Sequence, residues 1–121
     1  MNTPVSFEIA KLLKEKGYSQ QGFPYYSKDL DFDDIELNHH YRDFYPENGY
    51  ETFTAPTIAE VVMWLYEKQR VWIIVFEISK GHDIGFIWSF SNDYNNVECE
   101  LCNSPTEAYS QAIEYTLKNL I

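Results

Sequence analysis

Apolar side chains recur every three to four residues in three parts of the chain, and this spacing predicts amphipathic helices. Thr3 or Ser6 can cap the first helix, and Gly17 supplies the left-handed position that commonly follows a helix. The predicted helices cover residues 4–16, 57–69 and 104–120.

Two of these helices share one start signal. Thr57 and Ser104 each stand three residues before a glutamate, Glu60 or Glu107. In such a capping box the hydroxyl accepts from the third amide of the helix, and the glutamate accepts from the cap. Pro105 suits the first helical position because its missing N–H is not needed there. We expect side-chain caps at both starts.

Alternating or continuously apolar runs, rich in aromatic and β-branched side chains, predict strands between the helices. The predicted strands cover residues 25–28, 50–54, 71–79, 84–91 and 97–102. In the last of them Val97, Cys99 and Leu101 are expected to face the core. The pattern indicates an α+β fold: one domain over residues 1–121, two-layer, with a mainly antiparallel sheet and three amphipathic helices packed on it.

The turn at residues 80–83 joins two strands into a hairpin whose register depends on the loop length. A loop with an even number of residues places one row of the second strand on the face of Glu77 and Ser79. That row consists of Ile84, Phe86, Trp88 and Phe90. An odd loop, residues 81–83, aligns the row instead with Trp72, Ile74, Phe76 and Ile78. We favour the odd loop because it gathers the large apolar side chains on one face.

The odd-loop register leaves a second apolar face on the same hairpin. Its members are Val71, Ile73, Val75 and Ile87. Four β-branched side chains form a larger patch than a monomer comfortably exposes. We therefore expect a homodimer formed through this face, unless the segment 19–54 folds over it.

Charge and composition narrow the possible functions. A hydrophobic content of 45% in 121 residues is enough to build a core without disulfides or metals. The net charge of -10 opposes binding to phosphate backbones and anionic membranes, so we expect no direct nucleic-acid or membrane partner. The longest apolar run, residues 71–76, is far below the ~20 residues of a membrane helix, and we expect no secretion signal in the N-terminal residues, which lack a basic region followed by an apolar core. A cytoplasmic location follows.

Acidic and aromatic side chains alternate between residues 19 and 54, and this mixture favours either a surface for a basic protein partner or a solvated flap over the sheet. The candidate partner-binding acids are Asp29, Asp31, Asp33, Asp34 and Glu36.

The chain shows no workable metal or cofactor motif. The acidic run 29–34 resembles the start of a calcium loop, but Asp34 replaces the glycine needed at position six and His40 replaces the glutamate at position twelve. Zinc binding by His39-His40 with Cys99 and Cys102 is disfavoured because adjacent histidines chelate poorly and cysteines three apart diverge in a strand. We expect no metal and no cofactor, and no local catalytic signature is present.

Several segments carry a resemblance to a known group of sequences. They include Ala-Pro-Thr at 55–57 and Ser-Pro-Thr-Glu-Ala at 104–108, within the stretches 7–17, 55–57, 62–68, 72–73, 103–109, 112–115 and 117–121. This pattern resembles a family of small uncharacterised proteins from gut Bacteroides genomes and their phages or mobile elements. The resemblance implies a bacterial or phage cytoplasmic setting and no particular catalytic residue.

The leading functional hypothesis is a noncatalytic protein-interaction module whose partner is another protein or a second copy of the chain. The alternative is an acidic decoy that mimics nucleic acid and occupies a basic nucleic-acid-binding protein. A small enzyme with a site assembled from scattered residues is the third hypothesis.

Overall fold

The computed structural model describes residues 2–20, 24–32, 34–39, 49–91 and 100–121. In chain order the described elements are α1 (Phe7–Glu15), β1 (Tyr25–Asp29), β2 (Ile35–Asn38), β3 (Tyr50–Thr54), α2 (Ile58–Gln69), β4 (Ile73–Lys80), β5 (Asp83–Phe90) and α3 (Pro105–Asn119). The chain divides into two compact units. We call Thr3–Thr57 the N-terminal unit, and Ile58–Ile121 with Met1–Asn2 the C-terminal unit.

The N-terminal unit is a three-stranded antiparallel sheet of order β2-β1-β3 with α1 packed on β3. Ser6 caps α1, since its hydroxyl accepts from the Ile9 amide at 3.3 Å, and Gly17 follows the helix with a φ of 87°. The Phe7 ring meets Phe53 of β3 edge-on, with ring centres 5.1 Å apart. Helix and sheet therefore share one small apolar core.

The C-terminal unit is an antiparallel β4–β5 hairpin, with α3 packed on both strands and α2 packed on α3. Ser104 caps α3 by accepting from the Glu107 amide at 3.1 Å, as predicted. The Glu107 carboxylate accepts from the Asn103 amide at 2.9 Å, one residue before the cap itself. The core of this unit includes Ile58, Leu65, Ile73, Trp88, Ala112, Ile113 and Leu117.

The predicted fold class is confirmed: the protein has a small two-layer α+β fold, with three helices and antiparallel strands. One detail differs, because the strands form two sheets rather than one. The sequence pattern did not predict β2, which is a strand of only four residues and includes the polar side chains Glu36 and Asn38. A single domain over 1–121 stays a prediction.

The predicted odd-loop register of the hairpin is wrong. Ile73 pairs with Phe90, Val75 with Trp88 and Lys80 with Asp83, so two residues, Gly81 and His82, close the turn. Gly81 has a φ of 61°, the positive value that a two-residue hairpin turn requires of its first residue in the II′ form. The hydrophobic pattern could not select the register, because 71–76 are apolar on both faces.

The predicted strand 97–102 finds a partner at its described end. Phe86 and Cys102 exchange two backbone hydrogen bonds of 2.9 and 2.8 Å, so the chain runs along the outer edge of β5 there. The inward side chain is the buried Cys102, whereas Leu101 is half-buried. The predicted inward position of Leu101 is therefore wrong, and Val97 and Cys99 lie outside the described residues.

Candidate interaction surface

Two of the four residues predicted to form an association surface lie in the core. Val71 and Ile73 are 1% and 2% exposed, so neither can contact a partner in the folded chain. Val75 is half-buried opposite Trp88, on the face that α3 covers. Ile87 is half-buried on the other face, opposite Phe76. The predicted face is thus corrected, because the even loop turns its β4 members inward.

The exposed apolar side chains of the hairpin are those that the sequence assigned to the core. Trp72 is 36% exposed, Ile74 37% and Phe76 43%. Tyr66, from α2, lies edge-on against Trp72 with ring centres 4.7 Å apart and is itself exposed. These four side chains define the apolar face. Ile78 and Ile87 extend it as half-buried neighbours.

The opposite face of the hairpin is covered by α3. The Trp88 ring centre lies 5.4 Å from that of Tyr115 in α3, and its ring N–H donates to Gln111 at 3.4 Å. Trp88 also meets the Phe90 ring at 5.6 Å. Because α3 packs on this side, the alternate side chains of β4 point away from the helix.

Leu101 closes the apolar face along β5. A side-chain carbon added at Gly85 would lie 2.4 Å from Leu101 Cγ and 2.8 Å from the Cys102 carbonyl oxygen. Such distances are too short for non-bonded atoms, so only glycine fits beneath Leu101. On the β5 side, Leu101 therefore covers the edge of the apolar face.

On the β4 flank the backbone is open from Val75 onward, since Ile73 is buried. The Ser91 amide donates to the Trp72 carbonyl at 3.1 Å, which fixes Trp72 as a hydrogen-bonded partner of β5. Hydrogen-bonded and non-bonded positions alternate along an antiparallel strand, so the backbone groups of Ile73, Val75, Glu77 and Ser79 point away from β5. Within the described part of the chain, no strand pairs with this edge.

The predicted acidic site gathers around the turn between β1 and β2. The Asp29 amide donates to the Asp34 carbonyl at 2.9 Å, and the Asp29 carboxylate accepts from the Asp31 amide at 2.8 Å. Asp29, Asp31 and Asp34 are thereby brought together, while Glu36 lies on β2 opposite Ser27. Asp33 lies outside the described residues.

The acidic turn also carries exposed apolar side chains. Leu30, Phe32 and Ile35 are all exposed between the acids, and Phe32 is 75% exposed. A phosphate backbone presents regularly spaced charge without such groups. The turn is consequently a mixed acidic and apolar surface rather than a purely anionic one.

Among the described residues, no group of three or more His, Cys, Asp or Glu side chains is arranged to hold a metal ion. In the N-terminal unit the Tyr26 hydroxyl donates to the Val5 carbonyl at 2.7 Å, and burial raises the pKa of Tyr26 above the usual 10.0. This contact ties β1 to the segment before α1.

None of the helices in the described ranges is both long and apolar enough to cross a bilayer. Comparison with protein-family models, with curated proteins and with solved structures yields no match.

Proposed function

We propose that the protein is a noncatalytic interaction module of a bacterial or phage cytoplasm that associates with a second copy of itself through the apolar face. The observation that supports this function is the exposure of Trp72, Ile74 and Phe76 on one side of a hairpin whose other side is covered by α3. Isolated apolar residues are common on protein surfaces, but contiguous large ones mark contact sites.

The side chains of the apolar face belong to the types that dominate interfaces. Trp, Tyr and Phe bury much area and lose little conformational entropy when they bind, because few bonds rotate. Tyr66 and Trp72 already support each other through their ring contact. The part of this face that the second copy covers is removed from water, which contributes to the free energy of association at roughly 25 cal/mol per Å² of apolar area.

Sedimentation velocity over a range of protein concentrations tests the proposal. Wild type should shift from monomer to dimer, and Ile74→Asp should raise the dissociation constant by about tenfold or more because it places a charge in the contact. Ile84→Asp is the matched control: Ile84 is 70% exposed on the same hairpin but faces the opposite side, beside Ser79. This control should dimerise like wild type.

Two results would contradict the proposal. A wild type that stays monomeric at high concentration has no such interface. Equal weakening by Ile74→Asp and Ile84→Asp would show that added charge, rather than loss of the apolar face, controls association. Circular dichroism of each variant establishes that the fold is retained.

The acidic decoy is a second candidate, and the convergence of Asp29, Asp31 and Asp34 in one turn favours it. A decoy would displace duplex DNA from a basic DNA-binding protein, and Asp31→Asn should weaken that displacement more than Glu67→Gln, an exposed charge on α2. Equal effects of the two variants would reduce the decoy to a general effect of net charge.

A further inference from the structure

We propose that two copies of the chain join edge to edge, with β4 of one copy pairing antiparallel with β4 of the other about a twofold axis at Phe76. This inference rests on the proposed function and specifies the geometry of its dimer: the two apolar faces lie side by side on one side of the joint sheet, and their side chains pack on each other across the β4–β4 pairing. It turns two separate hairpins into one continuous four-stranded sheet.

The backbone of β4 provides the groups that such pairing needs. Val75, Glu77 and Ser79 direct their amides and carbonyls to the open side of the strand, whereas Ile73 is buried. An unpaired edge of this kind is a template for another strand. The eight residues of β4 contain no proline, and their pairing with β5 is continuous, so no bulge blocks the approach.

The other strand edges are less suited to the role. β2 has only four residues, and the outer edge of β5 is engaged by Cys102. In β3 the Thr52 carbonyl accepts from the Lys14 ammonium at 3.0 Å. β4 is thus a long and open edge among the described strands, and its first four residues are all apolar.

The side chains of β4 favour one register for pairing with β4 of the second copy. Centring the axis on Phe76 places the two Phe76 residues opposite each other, and Ile74 opposite Ile78 of the second copy, all on the apolar face. Glu77 then lies opposite Val75 of the second copy. An axis at Glu77 would instead set two carboxylates face to face, which is unfavourable.

Cysteine cross-linking tests this register, in a background where Cys99 is replaced by Ser and the buried Cys102 is kept. In the proposed dimer the two positions 76 form a non-hydrogen-bonded pair with Cα atoms about 4.5 Å apart, which a disulfide can span. Phe76→Cys should form a covalent dimer on treatment with diamide. Ile74→Cys is the matched control, because the two positions 74 lie more than about 13 Å apart in this register.

A mixture of Ile74→Cys and Ile78→Cys chains extends the test without altering Phe76. These two positions are opposite each other in the proposed register, so the mixed disulfide should form, whereas neither chain alone should cross-link efficiently. The inference is overturned if Phe76→Cys and Ile74→Cys cross-link equally, or if the mixture yields no mixed dimer. If those results are obtained while the wild type dimerises in sedimentation, the edge register is wrong and the proposed function still holds. If the wild type is monomeric, both the edge register and the proposed function are wrong.

Discussion

The sheets of the two units treat their surfaces differently. In the N-terminal unit every residue of β1 is half-buried, and the Lys14 side chain reaches β3 to contact Glu51 and Thr52. In the C-terminal unit both faces of β4 carry apolar side chains, and among the described elements α3 covers one of these faces. The register of β4 with β5 decides which apolar side chains face away from α3, and it therefore identifies the candidate contact surface. The net charge of the chain does not identify it.

The largest expected effect separates the two faces of β4. Ile73→Asp would bury an unpaired carboxylate and should lower the free energy of unfolding by about 4 kcal/mol. Ile74→Asp, on the exposed face, should lower it by less than about 1 kcal/mol. Urea unfolding monitored by tryptophan fluorescence measures both, and equal losses would show that the register is misassigned.

Gly85→Ala tests the close contact between Gly85 and Leu101 on the β5 side of the apolar face. The new methyl group would meet Leu101 Cγ and the Cys102 carbonyl, and we expect a loss of about 2 kcal/mol from overpacking. Combining it with Leu101→Ala should recover part of the loss, because one of the two clashes disappears. Thermal melts of the single and double variants give the comparison, and an unchanged Gly85→Ala variant would place Leu101 elsewhere.

The helix caps offer a matched pair across the two units. Ser104→Ala should lower the unfolding free energy by about 1 kcal/mol, since it removes the bond to the Glu107 amide. Ser6→Ala should cost about 0.5 kcal/mol, because its bond to the Ile9 amide is longer and no glutamate returns a second one. Chemical denaturation of both variants ranks them, and the reverse order would contradict this reasoning.

Tyr26 sets the pH response expected of the N-terminal unit. Burial raises the pKa of its hydroxyl in the folded chain, so its contribution to stability is present below the unfolded pKa of 10.0 and is lost as the pH rises through the folded value. Tyr26→Phe should remove this alkaline loss and cost about 1 kcal/mol at neutral pH through the missing bond to Val5. Unfolding curves at neutral and alkaline pH test both effects, and an identical alkaline loss in the variant would assign it to other groups.

The sequence predicted the elements better than their pairing. Helical spacing and the caps at Ser6 and Ser104 are local signals, so α1, α2 and α3 could be located to within a few residues. β3 was predicted at its observed bounds for the same reason. Pairing is a long-range property, and separation of the strands into two sheets has no local signature.

The sequence analysis missed the candidate surface because it predicted one turn to be a residue too long. Gly81-His82 is a two-residue connection, and the glycine was the available signal for it. Counting one residue more turned Trp72, Ile74 and Phe76 inward and Ile73 outward. The acidic candidates fared differently: Asp29, Asp31 and Asp34 do come together, since neighbours in a short turn need no register.

Amide hydrogen exchange in β4, followed by NMR at micromolar and millimolar protein concentrations, tests the central claim most directly. The amides of Ile74 and Phe76 bond to β5 and should be protected at both concentrations, whereas those of Val75 and Glu77 face the open edge. The account predicts that Val75 and Glu77 gain protection only at the higher concentration, as the dimer forms. Exchange at these two amides that is rapid and independent of concentration would contradict it.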